Sequence, residues 1–152
     1  MTSKRLPGAR ADYVRFLPVQ TRWADNDAYG HVNNVVYYSY FDSVMNRYLI
    51  DEGALELEKS PVIGLCVDSA CSYFSPVAYP QALEAGIRVG HLGRSSARYE
   101  IGIFVAGAAT PSAEGHFVHV FVDRVTRKSV ELPEAVRKAL SRLRSGEPTR
   151  AL

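Results

Sequence analysis

Apolar and polar positions along the chain fall into two periods. Leu83, Ala85, Ile87 and Val89 alternate with Glu84, Gly86 and Arg88, as expected of a strand with one face on a core. Ala97, Tyr99, Ile101, Ile103 and Val105 alternate with Arg98, Glu100, Gly102 and Phe104 in the same way. Residues 62–74 are rich in β-formers and bounded by Pro61 and Pro76, and residues 117–125 are more continuously apolar, the pattern of a central strand. A further strand is expected over residues 14–23. Pro18 inside it points to a sheet edge or a bulge, because proline cannot donate to a ladder. Short connections at Gly90-His91-Leu92-Gly93 and at residues 107–111 predict antiparallel hairpins.

Residues 35–51 follow the other period. The run opens with strand-like residues, yet Ser39, Asp42, Ser43 and Asn46 sit at spacings of three and four. That places them on one narrow stripe of a helix. Val36, Tyr37, Tyr40, Phe41, Val44, Met45, Tyr48 and Leu49 cover the rest. Asn33 or Asn34 would serve as N-cap and Gly53 as the C-terminal stop. A helix apolar around most of its circumference must be wrapped by something. Pro133, then Val136, Leu140 and Leu143 at helical spacing, predict a C-terminal surface helix. The order of elements fits an α+β fold, a twisted antiparallel sheet curled around one central helix.

Composition narrows the picture. The chain has 152 residues, 16.8 kDa, close to one domain's worth. Residues 1–12 read as a flexible tail, 13–145 as a single domain and 146–152 as a second tail. A domain this small leaves little room for an enclosed pocket, so a sizeable site must be shallow or shared with a second chain. Eighteen Lys and Arg against sixteen Asp and Glu give a net charge of +2, which gives no reason to expect nucleic acid. No apolar run reaches membrane-spanning length and no secretory signal precedes the domain. Cys66 and Cys71, five apart in an expected strand, point to opposite faces, so no bridge is expected. Reduced thiols in a cytoplasmic protein follow.

The chemistry concentrates in residues 25–34, which hold Asp25, Asp27, His31, Asn33 and Asn34 and lead directly into the buried helix. A helix N-terminus offers unpaired N–H groups and partial positive charge, the requirements for holding a polarised carbonyl oxygen. A carboxylate upstream could act on that carbonyl. The same residue types also serve as ordinary caps and turns. No Gly-x-Ser-x-Gly elbow and no Cys-x-x-Cys or His-Glu-x-x-His metal signature is present. No metal is expected. His116 and His119 are three apart in a strand and face opposite ways. Gly93-Arg94-Ser95-Ser96, followed by Arg98, is either a phosphate-gripping turn or a solvated hairpin tip.

The stretch Trp23-Ala24-Asp25-Asn26-Asp27-Ala28-Tyr29-Gly30-His31-Val32-Asn33-Asn34, followed by Tyr37 and Tyr40, resembles the signature of hotdog-fold acyl-CoA thioesterases, within the 4-hydroxybenzoyl-CoA thioesterase-like family. The likeness extends to the Gly93 turn, to the strand from Phe117 to Asp123 and to Leu132-Pro133, roughly residues 13–143. The resemblance implies the hotdog fold, a five-stranded antiparallel sheet around a long central helix with a C-terminal helix. It implies a homodimer or homotetramer with sites at the subunit interface. Asp27 matches the catalytic carboxylate, as nucleophile or general base, and the Asn34 N–H matches the group that polarises the thioester carbonyl. His31 and Asn33 would shape the loop or position water. Tyr29, Gly30 and Tyr37 would line the substrate site, and Gly93, Arg94, Ser95 and Ser96 fall where CoA phosphates are contacted. CoA is part of the substrate, and no separate cofactor is implied. The pattern Gly30-His31-Val32-Asn33-Asn34 is shared with fatty-acyl rather than aryl-specific members, so a general acyl-CoA is the expected substrate. Two other readings stand beside hydrolysis: a non-catalytic acyl-CoA or acyl-carrier binding protein, and a hotdog enoyl-CoA hydratase or dehydratase. Acyl length, set by Tyr37, Tyr40, Phe41 and a partner chain, is not legible, nor is dimer against tetramer.

Overall fold

A computed structural model describes residues 5–144. Five strands form one antiparallel sheet: β1 (Arg15–Gln20), β2 (Val62–Tyr73), β3 (Ala82–Leu92), β4 (Ser96–Val105) and β5 (Ala113–Asp123), in the order β1-β3-β4-β5-β2. The helix α1 (Val36–Asp51) crosses the concave face, and α2 (Glu134–Ser141) closes one end. This is the hotdog arrangement that the resemblance implies. The expected hairpins are present as β3–β4 and β4–β5. Pro18 lies in β1, which is an edge strand, so its missing N–H interrupts no ladder on the open side.

The period-two residues of β3 and β4 supply the inner face. Leu83, Ala85, Ile87, Ile101 and Ile103 are fully buried there. The helix meets them with Tyr37, Phe41, Met45, Tyr48 and Leu49, while Ser39, Asp42 and Ser43 face out. The polar stripe is therefore the solvent side of α1. Gly115 lets the helix approach β5, because a Cβ there would overlap the Phe41 ring and the Ala70 carbonyl. At the far end the Tyr48 hydroxyl donates to the Ala139 carbonyl at 2.6 Å, and the Val89 N–H donates to the Leu143 carbonyl at 2.7 Å. Val136, Leu140 and Leu143 are buried as their spacing requires. Gly53 ends α1 with φ +72°, a left-handed conformation that glycine adopts without strain.

Several expectations are corrected. The helix begins at Val36, with Val35 in the cap position. Asn33 acts earlier, its Oδ1 accepting from the Val35 N–H at 3.1 Å. β5 starts at Ala113 rather than 117, since pairing with β2 and β4 outweighs the weak strand propensity of Ala113-Glu114-Gly115. A bulge between Cys66 and Asp68 shifts the alternation in β2, so Cys66 and Cys71 pair with His119 and Gly115 on the same, inner face. Both cysteines are free, Cys66 exposed and Cys71 half-buried. Burial pushes the Cys71 thiol up to about 11, so it is no nucleophile near neutral pH.

Residues 5–12, expected as part of a flexible tail, lie across the outer face. Gly8 N–H donates to Glu114 Oε1 at 2.9 Å, and Arg10 reaches Glu84 Oε1 at 2.6 Å. The outer-face carboxylates supply the partners. The rest of the two expected tails, at 1–4 and 146–152, lies outside the described residues. No helix among the described residues is long and apolar enough to cross a membrane.

The close approach at Gly115 gives a direct test of this packing. Gly115→Val is expected to destabilise the chain by ~1–3 kcal/mol through overpacking against Phe41. Urea unfolding of the two proteins measures the difference.

Candidate functional site

The loop before α1 is pinned from below by Asp25. This residue is 1% exposed. Its carboxylate accepts from the Tyr40 hydroxyl at 2.7 Å, and from the Arg22 N–H and Nε at 2.9 Å each. Burial alone would push the Asp25 carboxyl up. The hydrogen bonds from Tyr40 and Arg22 outweigh it and hold the group below the usual carboxylate range. The Asp25 carbonyl also accepts the Asn33 N–H at 2.9 Å, and Val32 N–H bonds the Val77 carbonyl at 2.8 Å. The loop therefore enters the helix in one conformation. Asp25 is thus committed to anchoring the loop.

Asp27 stands in a different setting. Its Oδ1 accepts from the Tyr29 N–H at 2.8 Å and its Oδ2 from the Asn33 Nδ2 at 3.1 Å. The chain turns back at once. The Gly30 N–H bonds the Asp27 carbonyl and the Asp27 N–H bonds the His31 carbonyl, each at 3.0 Å. Gly30, at φ +85°, has the left-handed backbone this turn needs. Asn33 thus bridges both halves of the site, its Nδ2 on Asp27 and its Oδ1 on Val35.

These residues border a cleft of about 410 Å³. Asp27, Tyr29, His31, Asn34 and Tyr37 line one side, and Tyr73, Phe74, Ser75 and Pro76 the other. Burial pushes the Tyr37 hydroxyl up to about 12, so it stays neutral in the cleft wall. The Tyr73 hydroxyl donates to the Asn34 carbonyl at 3.0 Å and fixes that peptide. The Asn34 N–H has no hydrogen-bond partner among the described residues. A carboxylate and a free N–H at the start of a helix can together grip and attack a polarised carbonyl.

The structure brings Asp27, Tyr29, Gly30, His31, Asn33, Asn34 and Tyr37 together. It does not bring Gly93, Arg94, Ser95 and Ser96 to them. That turn joins β3 to β4, at the opposite end of the strands from the loop. Its carbonyls are used locally: Gly93 and Arg94 accept from Arg137, and Ser95 accepts from the Phe121 N–H. Arg94 itself is exposed. Sequence reasoning missed Tyr73 and the segment after it, which reach the cleft only through the register of β2 and leave no local signal. It also missed the Tyr40 contact with Asp25. Spacing on α1 could have suggested that contact, because Tyr40 and Tyr37 share a face.

The model for the thioesterase-like superfamily matches residues 21–140. Among solved structures, the PA5185 protein from Pseudomonas aeruginosa strain PAO1 is 49% identical, over 93% of this chain and 99% of that one, with a TM-score of 0.91. The PA2801 protein from Pseudomonas aeruginosa is 28% identical over 84% of this chain and 98% of that one, with a TM-score of 0.76. A 1,4-dihydroxy-2-naphthoyl-CoA thioesterase from Synechocystis is 19% identical, over 83% of this chain and 94% of that one, with a TM-score of 0.76. At that identity the likeness is one of fold. No curated protein matches.

The pinning role of Asp25 has a pH signature. Its folded carboxyl is held low, so its contribution is present above the unfolded value of about 3.9 and is lost as pH falls through the folded value. Asp25→Asn is expected to cost ~1–3 kcal/mol at neutral pH. Urea melts should show the gap from wild type shrinking steadily once the pH is taken below about 4.

Proposed function

The chain belongs to the thioesterase-like superfamily, and on that premise we propose that it is an acyl-CoA thioesterase, cleaving the thioester to free acid and CoA. The observation that carries the reading is the pairing of Asp27 with the unpartnered Asn34 N–H on one cleft. The thioester carbonyl oxygen accepts from the Asn34 N–H, and the positive end of α1 favours the charge that develops there. Asp27, oriented by Tyr29 N–H and Asn33 Nδ2, serves in one of two ways. It attacks the carbonyl carbon, expelling CoA thiolate and leaving an anhydride that water opens, or it takes a proton from an attacking water. Both routes use the same atoms. His31 borders the cleft and would help position water.

The working unit is proposed to be a homodimer joined through β2. This strand is a sheet edge of twelve residues, and residues 66–70 are exposed, Val67 to 61%. A long open edge is a template for pairing with a second chain. Antiparallel pairing of two β2 edges about a two-fold axis reverses strand direction. It therefore carries the partner's Gly93–Ser96 end toward this chain's Asp27 end. CoA phosphates would then be met by Arg94 and Arg98 of a second copy, so the net charge of +2 is no obstacle.

Asp27→Ala is expected to lower acyl-CoA hydrolysis by about 10²-fold or more, with Asp27→Asn close behind. Thiol release across short, long and aromatic acyl-CoAs reads this directly. Near-normal turnover in folded Asp27→Ala would remove Asp27 from the mechanism. Enoyl absorbance lost without thiol release would favour the hydratase. Tight binding with no turnover of either kind would favour the non-catalytic acyl-CoA or acyl-carrier binding protein. Val67→Asp, tested by light scattering and the same assay, is expected to yield monomers with activity reduced at least tenfold, an order-of-magnitude figure for losing one wall of a site.

A further inference from the structure

Beneath the C-terminal half of α1 lies a second space, a cavity of about 340 Å³, in the range of small-ligand pockets. Leu49, Leu55, Val62, Phe121 and Val136 make its wall largely apolar. The polar side chains on that wall are mostly engaged. Arg124 donates to the Ser60 and Leu57 carbonyls, Ser60 Oγ accepts from the Glu56 N–H, and Asn46 Nδ2 is held by Asp42.

His119 is the exception. It projects inward from β5 into this cavity and is 7% exposed. Its ring is set against Tyr99 at 4.9 Å, Phe117 at 5.8 Å and Phe121 at 6.5 Å between centroids. It has no hydrogen-bond partner among the described residues. Gly64 makes room for it, since a Cβ there would sit 2.8 Å from His119 Nδ1. The neighbouring Tyr99 hydroxyl is likewise buried without a partner. Polar groups inside a protein are normally paired, so an inward-facing imidazole with no protein partner, open to the cavity it lines, marks a place where a further group can bind. Burial pushes the His119 pKa down, against a smaller pull upward from Asp42, so near neutral pH the ring is uncharged. A neutral imidazole offers one donor and one acceptor.

The cavity lies along the same helix as the Asp27 cleft. Asn34 lines the cleft and Asn46 the cavity, twelve positions apart, which is ~18 Å along an α-helix. Between them β2 turns only Gly64, Cys66, Ser69 and Cys71 inward, opposite Phe121, His119, Phe117 and Gly115. Phe41 packs onto Gly115, but Cys66 and Ser69 on this edge strand are exposed, so the open route from cleft to cavity runs along the β2 side of the helix.

We propose that this cavity takes the far end of the acyl group and that His119 hydrogen-bonds an oxygen carried there, so that the chain selects hydroxy- or oxo-acyl thioesters over plain ones. The proposal rests on the thioesterase reading above and names its substrate class. His119 is then a specificity residue. An acyl group without the oxygen would leave the imidazole buried and unpaired, which is the source of discrimination.

Two measurements test this and separate its failure from failure of the thioesterase reading. The first compares kcat/KM in thiol release for medium- and long-chain ω-hydroxyacyl-CoAs against plain acyl-CoAs of equal length. A preference for the hydroxylated series of about tenfold or more is expected at the length that reaches His119. His119→Phe should bring the ratio near one, and His119→Gln should restore part of it. The second needs no turnover. In the full chain with nitrogen-labelled histidine, the free ω-hydroxy acid should shift the His119 ring resonances, and the plain acid should shift them less. If no thioester is cleaved but the hydroxy acid still shifts His119, the thioesterase reading falls and the pocket stands. If Asp27-dependent hydrolysis shows no preference, or a preference that folded His119→Phe retains, the proposal is overturned. It is equally overturned if His119 answers to neither acid, leaving a resident water as its partner.

Discussion

Everything in this molecule follows from burying the apolar side of one helix. Tyr37, Phe41, Met45, Tyr48 and Leu49 must leave water, and the inner face of a single small sheet receives them. The sheet accordingly curls, and β1 and β2 become its two edges. The helix then starts where the curled sheet ends. That junction forces the chain through a short loop whose backbone must be satisfied locally. The cleft is a by-product of the same geometry, because Tyr73 to Pro76 leave β2 beside that loop.

Two aspartates two residues apart divide the work of the loop. Asp25 is buried and committed to Tyr40 and Arg22, and so fixes where the loop sits. Asp27 is held by fewer, lighter contacts at the mouth of the cleft and remains available for chemistry. Environment, not residue type, separates the anchoring carboxylate from the one proposed to react. Asn33 links them, its backbone N–H donating to the Asp25 carbonyl and its side-chain amide donating to the Asp27 carboxylate. A shift in the anchor would thus reach Asp27 through a single residue, Asn33.

Much of this was legible in the sequence. Ser39, Asp42 and Ser43 of the polar stripe marked the outer side of α1, and alternation marked β3 and β4, because both are consequences of having one buried face. Pro18 marked an edge strand. The site loop was legible through its resemblance and its composition. What remained hidden is what pairing decides. The early start of β5 at Ala113 and the bulge in β2 depend on partners remote in sequence. So does Tyr73, which reaches Asn34 across thirty-nine positions. His119 was read only as one of two strand histidines facing opposite ways. Its lack of a partner and its cavity follow from the packing of α1, Gly64 and Phe121 around it, which no local pattern encodes.

The central claim is that the thioester carbonyl sits between Asp27 and the Asn34 N–H. A crystal structure of Asp27→Asn with an intact acyl-CoA tests it most directly. The account expects the carbonyl oxygen ~2.7–3.1 Å from the Asn34 nitrogen with the carbonyl carbon facing residue 27. A thioester bound with its carbonyl turned away from the start of α1, or seated at another face of the sheet, would contradict it.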